Sequence, residues 1–315
     1  MKRRIKQVVG LVSGCILVTA IATWPSALAF VIENQLRALR SKGAQLTWTG
    51  LRTGWNSVSF ETISTTLQGP TVRTGNRNLP TLTLPLPLDI ESPKFILIPR
   101  SLITFSPKLA FKTDLYGGTL SGEASLFHNN PAIKATLESL LIDHHPILGG
   151  TGIRGGILHA QTDALSLSPA SRLPQGTIHV QLSELHPPQI PELKSFLGIE
   201  TLGPIEATGS ATLAGDDVIA EKISVTSPLT AITGDVTMNR VTSNVPDIHG
   251  TFRIALSSEG ISKFGPWLSL ATNGAVENGS KSFRVTVSTE PCSDDRIGQP
   301  RIRIGLRCLD YQFIP

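Results

Sequence analysis

Along most of this chain apolar positions alternate with Ser, Thr and Gly, a period of two rather than the three-to-four spacing of a helix. Residues 44–49 (AQLTWT) alternate, and a second alternating run lies within 54–68 (NSVSFETISTTLQ). In 111–127 (FKTDLYGGTLSGEASLF), Gly117-Gly118 separates two such runs, and comparable modules follow at 203–213, 232–238 and 250–256. Each sets a glycine beside an alternating strand and returns within about a dozen residues, the spacing of an antiparallel meander. Residues 79–88 (LPTLTLPLPL) alternate too, but Pro80, Pro85 and Pro87 cannot donate to a ladder, which predicts an edge or a polyproline-like connector. The fold class predicted is mainly β: an elongated antiparallel sheet or groove-like domain.

Three segments depart from alternation. Residues 130–145 (NPAIKATLESLLIDHH) open on Asn130-Pro131 and place Ile133, Leu137, Leu140 and Leu141 on one helical face, which predicts a helix with a strand pair as the alternative. Residues 189–197 read as a short helix opened by Pro191 and closed by Gly198. In 261–270 (ISKFGPWLSL), Gly265-Pro266 points to a turn in place of a helix.

The N-terminus has a different character. Lys2, Arg3, Arg4 and Lys6 precede an uncharged, mostly apolar run from Gln7 to Ile32. About 20 apolar residues cross a bilayer, and the basic cluster stays on the cytoplasmic side, so the expectation is a single-pass inner-membrane anchor with the rest in the periplasm. A cleaved signal peptide is the alternative, since Ala27-Leu28-Ala29 offers a cleavage site after Ala29. Leu28, Ile32, Leu36 and Leu39 continue at helical spacing to Gly43. The organisation expected is therefore 1–32 signal-anchor or transmembrane segment, 33–43 an amphipathic juxtamembrane helix, and 44–315 a β-rich periplasmic domain, with a subdivision near 149–156.

Composition narrows the function classes. The net charge is +4, much of it from the N-terminal cluster, so the remainder carries no electrostatic footprint for nucleic acid. Of three cysteines, Cys15 falls in the apolar run, while Cys292 and Cys308 fall in the compartment that permits oxidation. They flank a turn-rich stretch and a run reading RIRIGLRC, a terminal hairpin that a disulfide could staple; two free thiols are the alternative.

No catalytic, cofactor-binding or metal site is expected. Asp143-His144-His145 is the one run of adjacent metal-ligand types, but neighbouring residues point apart and a metal would need distant partners; an enzyme would need His144 or His145 to converge in space with Asp114 or Glu138. The glycine-rich GGTGIRGG at 149–156 lacks the Lys-Ser/Thr of a phosphate loop and reads as a β-turn. Asp216-Asp217 and Asp294-Asp295 sit among turn residues. Because the strands alternate apolar residues against Ser and Thr, one sheet face is oily. With few helices to cover it, that face folds on itself or is lent to a lipid or a protein partner.

The basic N-terminus, the apolar run with Trp24-Pro25, and PSALAFVIENQLRALRSKG leading into AQLTWTGL resemble the start of the type II secretion system protein N family. LYGGTLSGEASL, GPIEATGSATLAGD and AEKISVTSPLTAITGDVTMN are similar to the β-pairs of that family and its AsmA-like relatives. The resemblance spans most of the chain and rests on the order of weak motifs. It implies a non-enzymatic accessory component of the type II secretion machinery, with other envelope secretion proteins and the membrane as partners. The AsmA-like relatives imply the alternative, a lipid-binding or lipid-transfer groove that takes phospholipid. The family supplies no catalytic residues, and Cys292 and Cys308 are not part of its pattern.

Overall fold

The computed structural model describes residues 46–72, 82–98, 108–125, 132–150, 152–166, 174–189, 198–241, 246–272, 274–291, 303–304 and 307–314, with isolated positions at 25–40 and 191–195. Residues 1–24 and Cys292 lie outside them, and so do the expectations that fall there. Among the described residues no helix is long and apolar enough to cross a membrane. The expected helix at 33–43 is described only at single positions; Glu33 and Arg37, both helical, form an ion pair of 2.9 Å.

Among the described residues eighteen strands form one sheet. The first four are β1 (Leu46–Thr49), β2 (Arg52–Thr53), β3 (Ser57–Ser59) and β4 (Thr62–Val72). Next come β5 (Leu82–Leu97), β6 (Lys108–Leu115), β7 (Gly118–Ser125), β8 (Ala132–Leu141), β9 (Arg154–Thr162) and β10 (Leu165–Ser166). The second half holds β11 (Gly176–His186), β12 (Ile205–Ala214), β13 (Asp217–Thr226), β14 (Thr230–Asn239), β15 (Asp247–Leu256), β16 (Ser282–Pro291), β17 (Arg303–Ile304) and β18 (Arg307–Ile314). Every pairing is antiparallel. From β4 to β9 each strand pairs with the next, β9 pairs with β11, and the succession resumes to β16 and then β18. This is the meander that the alternation predicts. Among the described residues nothing pairs β1 with β17 or β18, so the ladder they form is open.

Among the described residues the proline-bearing half of β5 is paired on one side only: Pro85 and Pro87 face Gln68 and Thr66 of β4, while β6 joins β5 from Glu91 onward. Missing N–H groups are tolerable there for the same reason as at a sheet edge.

Two expectations are overturned. Residues 132–141 form a strand, not a helix; an extra residue in β8 puts Leu137 and Leu140 three apart, which imitates a helical period. Conversely, 258–271 form a helix, α2 (Ser258–Ala271), through Pro266; the shorter α1 is Pro146–Gly150. The Ser257 hydroxyl oxygen caps α2 by accepting from the N–H of Gly260 (3.0 Å), and Leu268 packs on the core beyond the proline. Held on both sides, the helix runs through Pro266 despite the backbone bond that proline removes. Gly260 is required where α2 meets the β13–β14 turn, since a Cβ there would lie 2.2 Å from the carbonyl oxygen of Leu229.

Well-buried apolar side chains gather towards the two ends of the ladder. At one end Phe283 and Val285 of β16 pack with Val276, and Ile254, Leu268 and Phe313 close around them. Near the other, Val58 and Phe60 are buried, and Phe60 meets Phe95 edge-on at 6.4 Å. The glycine-rich 149–156 stretch does not interrupt the sheet, because β8 and β9 pair across it.

Candidate functional site

Registers divide the sheet into two faces. On β14, β15 and β16 one face carries the cross-strand rows Ile232–Ile254–Phe283, Gly234–Phe252–Val285 and Val236–Gly250–Val287. The same face continues through Leu213, Val225 and Ile178, and on to Leu137, Leu120 and Phe111. The opposite face carries Thr136, Gln161, His179 and Ser210 in one row, and Thr233, Arg253 and Arg284 in another.

From β7 through β15 no apolar strand side chain is fully buried. Yet most apolar-face side chains there are half-buried, while Gln161, His179, Thr208, Thr212 and Glu221 opposite are exposed. Among the described residues no second layer covers the central apolar face. Shelter without a covering layer is consistent with a sheet bent towards this face, called the trough below, on whose floor Val180 remains 39% exposed. On the opposite face Thr136, Gln161, His179 and Ser210 line a second hollow of about 620 Å³.

The curl has a repeated cause. Ser92, Ser139, Glu184 and Lys222 all adopt positive φ, between 49° and 56°. Each falls within a register shift, in β5, β8, β11 and β13 respectively. Each is the extra residue of a β-bulge, a device that bends a strand and increases its twist. The flanking pairs are Ile90/Pro93, Leu137/Leu140, Leu182/Leu185 and Ala220/Ile223. Inserting one residue returns both members of a pair to the trough side. Three of the orphaned bulge N–H groups find acceptors on a neighbouring strand or turn: Ser92 donates to the carbonyl oxygen of Glu61 (2.9 Å), Ser139 to Nδ1 of His159 (3.3 Å), and Lys222 to Oδ1 of Asp235 (2.9 Å).

Glycine deepens the floor at two places. Gly122 lies opposite Phe111, and Gly234 opposite Phe252. A Cβ on either would approach the facing ring within 2.7 Å, so each phenyl ring covers the backbone of its glycine.

The residues singled out for chemistry have structural partners. Asp143 accepts from the N–H of Gly155 (2.9 Å), and the His145 ring lies edge-on against Tyr116 at 5.0 Å. Asp114 accepts from the Thr119 hydroxyl (3.3 Å), and Glu138 lies opposite that threonine on β8. Among the described residues no three His, Cys, Asp or Glu side chains are placed to hold a metal ion. Asp217 accepts from the N–H of Arg240, just beyond the end of β14 (3.1 Å), a longer-range bond in place of the local turn bond expected. In 149–156 the first two glycines end α1, and Gly155 and Gly156 open β9 at φ 64° and 91°. Cys308 is buried on β18, opposite Glu290, and is disulfide-bonded.

Sequence reasoning found the oily face but not the bulges that shape it. Their signal is present: IESP at 90–93, LESL at 137–140, LSEL at 182–185 and AEKI at 220–223 each break alternation with two residues between apolar or proline flanks.

Comparison with protein-family models, curated proteins and solved structures finds no match for this chain.

Proposed function

We propose that this chain is a non-enzymatic protein of the Gram-negative envelope whose curled sheet shelters the acyl chains of phospholipid. The observation that carries this reading is the apolar face from β7 to β14, whose side chains are half-buried with no second layer over them among the described residues. An apolar surface of that extent is costly to leave in water, at about 25 cal/mol per Å², and an acyl chain is a ligand of matching chemistry. In this reading the 1–32 segment holds the protein in the inner membrane and the sheet stands in the periplasm. The test is native mass spectrometry of the gently extracted full chain, with lipid analysis of the same sample. Retained phospholipid at a fixed stoichiometry supports the trough; a chain that emerges empty refutes it.

The order of the β-pair motifs along the sequence favours a second reading, an accessory component of the type II secretion machinery. There the same face docks another envelope protein of that machinery. Crosslinking in intact cells separates the two: secretion-platform proteins joined to residues of the trough, without lipid, favour docking.

A further inference from the structure

On the face opposite the trough, Arg253 of β15 and Arg284 of β16 are direct cross-strand partners. Like charges in that relationship repel, at a cost of a few tenths of a kcal/mol to about 1 kcal/mol. Neither guanidinium makes an ion pair or side-chain hydrogen bond among the described residues, and both are exposed. The bulge residue Lys222 brings a third cation to the same place, and the three border a cavity of about 460 Å³. Hydroxyls of Ser224, Thr233 and Thr251 line it as well. One carboxylate, Asp235, shares the cavity, and it is engaged by the backbone N–H of Lys222. The balance is three cations against one anion, beside three neutral donors.

Planar guanidinium forks with hydroxyls alongside are the donors that match the tetrahedral oxygens of phosphate. We propose that Lys222, Arg253 and Arg284 form a binding site for a phosphate group, either free phosphate or a phospholipid headgroup. The site faces away from the trough and stands independently of the lipid reading above.

The full chain in a neutral detergent is titrated calorimetrically with sodium phosphate and, separately, with a water-soluble short-chain phosphatidylglycerol. Saturable binding of phosphate alone identifies free phosphate as the ligand; binding of the phosphatidylglycerol alone identifies the headgroup. In either case the R253Q/R284Q double variant binds at least about tenfold more weakly, the loss of one charge-assisted hydrogen bond. Removing the like-charged pair relieves repulsion, so a thermal transition no lower than the parent's checks that the double variant is folded. The proposal is overturned if neither ligand saturates, or if R253Q/R284Q binds as the parent does.

Discussion

Asp235 of β14 reaches across to β13 and accepts the backbone N–H of Lys222 at 2.9 Å, where Lys222 takes the left-handed φ of 55°. The carboxylate thus satisfies a donor that the bulge removes from the ladder. This bulge is therefore built by two strands: β13 supplies the extra residue, and β14 supplies the acceptor.

Replacing Asp235 by Ala leaves that N–H without its protein partner. The expected loss is about 1–2 kcal/mol, because a hydrogen bond to a charged acceptor goes while the exposed site lets water compensate in part. Urea denaturation of the D235A variant measures it. An unchanged midpoint would show that the carboxylate is dispensable.

Lys222→Val and Lys222→Gly should move stability in opposite directions from one another. A β-branched residue at positive φ costs roughly 1–2 kcal/mol, whereas glycine adopts that conformation freely. Thermal unfolding of the pair reads the difference, with the valine variant the less stable.

Gly234→Ala introduces a methyl 2.3 Å from the carbonyl oxygen of Thr251 and 2.7 Å from the Phe252 ring. Backbone cannot yield as a flexible side chain does, so a destabilisation of about 1–3 kcal/mol is expected. Gly274→Ala, with open space around its Cβ but a φ of 81°, isolates backbone strain from crowding.

Val180→Asp tests the trough floor. Val180 lies opposite Ala160 and Gly209, so the carboxylate fits without a clash, and at 39% exposure it stays hydrated. Lipid retained per chain should fall several-fold while the thermal transition barely moves. Loss of folding together with lipid would instead assign Val180 to the core.

Reduction should destabilise the end of the ladder where β18 lies against β16. Cys292 is the partner proposed for Cys308, and a loop of that size is worth about 3 kcal/mol. Non-reducing peptide mapping identifies the partner directly; a peptide joining Cys308 to Cys15 would refute the assignment.

Strand content, hairpin order and the oily face were legible because each depends on local alternation. The helix expected at 130–145 failed for an equally local reason: the bulge at Ser139 spaces Leu137 and Leu140 as one helical turn would. Helix α2 escaped notice because Pro266 outweighed a cap at Ser257 and the packing of Leu268, and only the cap is visible in sequence. Arg253 and Arg284 are 31 positions apart (284 − 253) with no shared motif, and become neighbours only through the register of β15 on β16. Register is a property of strand pairs, so no single segment encodes it.

The open meander also makes the protein a ruler. Along most of the ladder each strand touches its neighbours in sequence, and among the described residues no pairing joins the two ends of the sheet. A hairpin can then be added or deleted without disturbing distant pairings. Each strand contributes about 4.8 Å, so one hairpin changes the reach of the trough by roughly 10 Å. A descendant of this chain facing a longer or shorter ligand needs no new architecture, only a different number of hairpins, with bulges placed to keep its apolar side chains in phase.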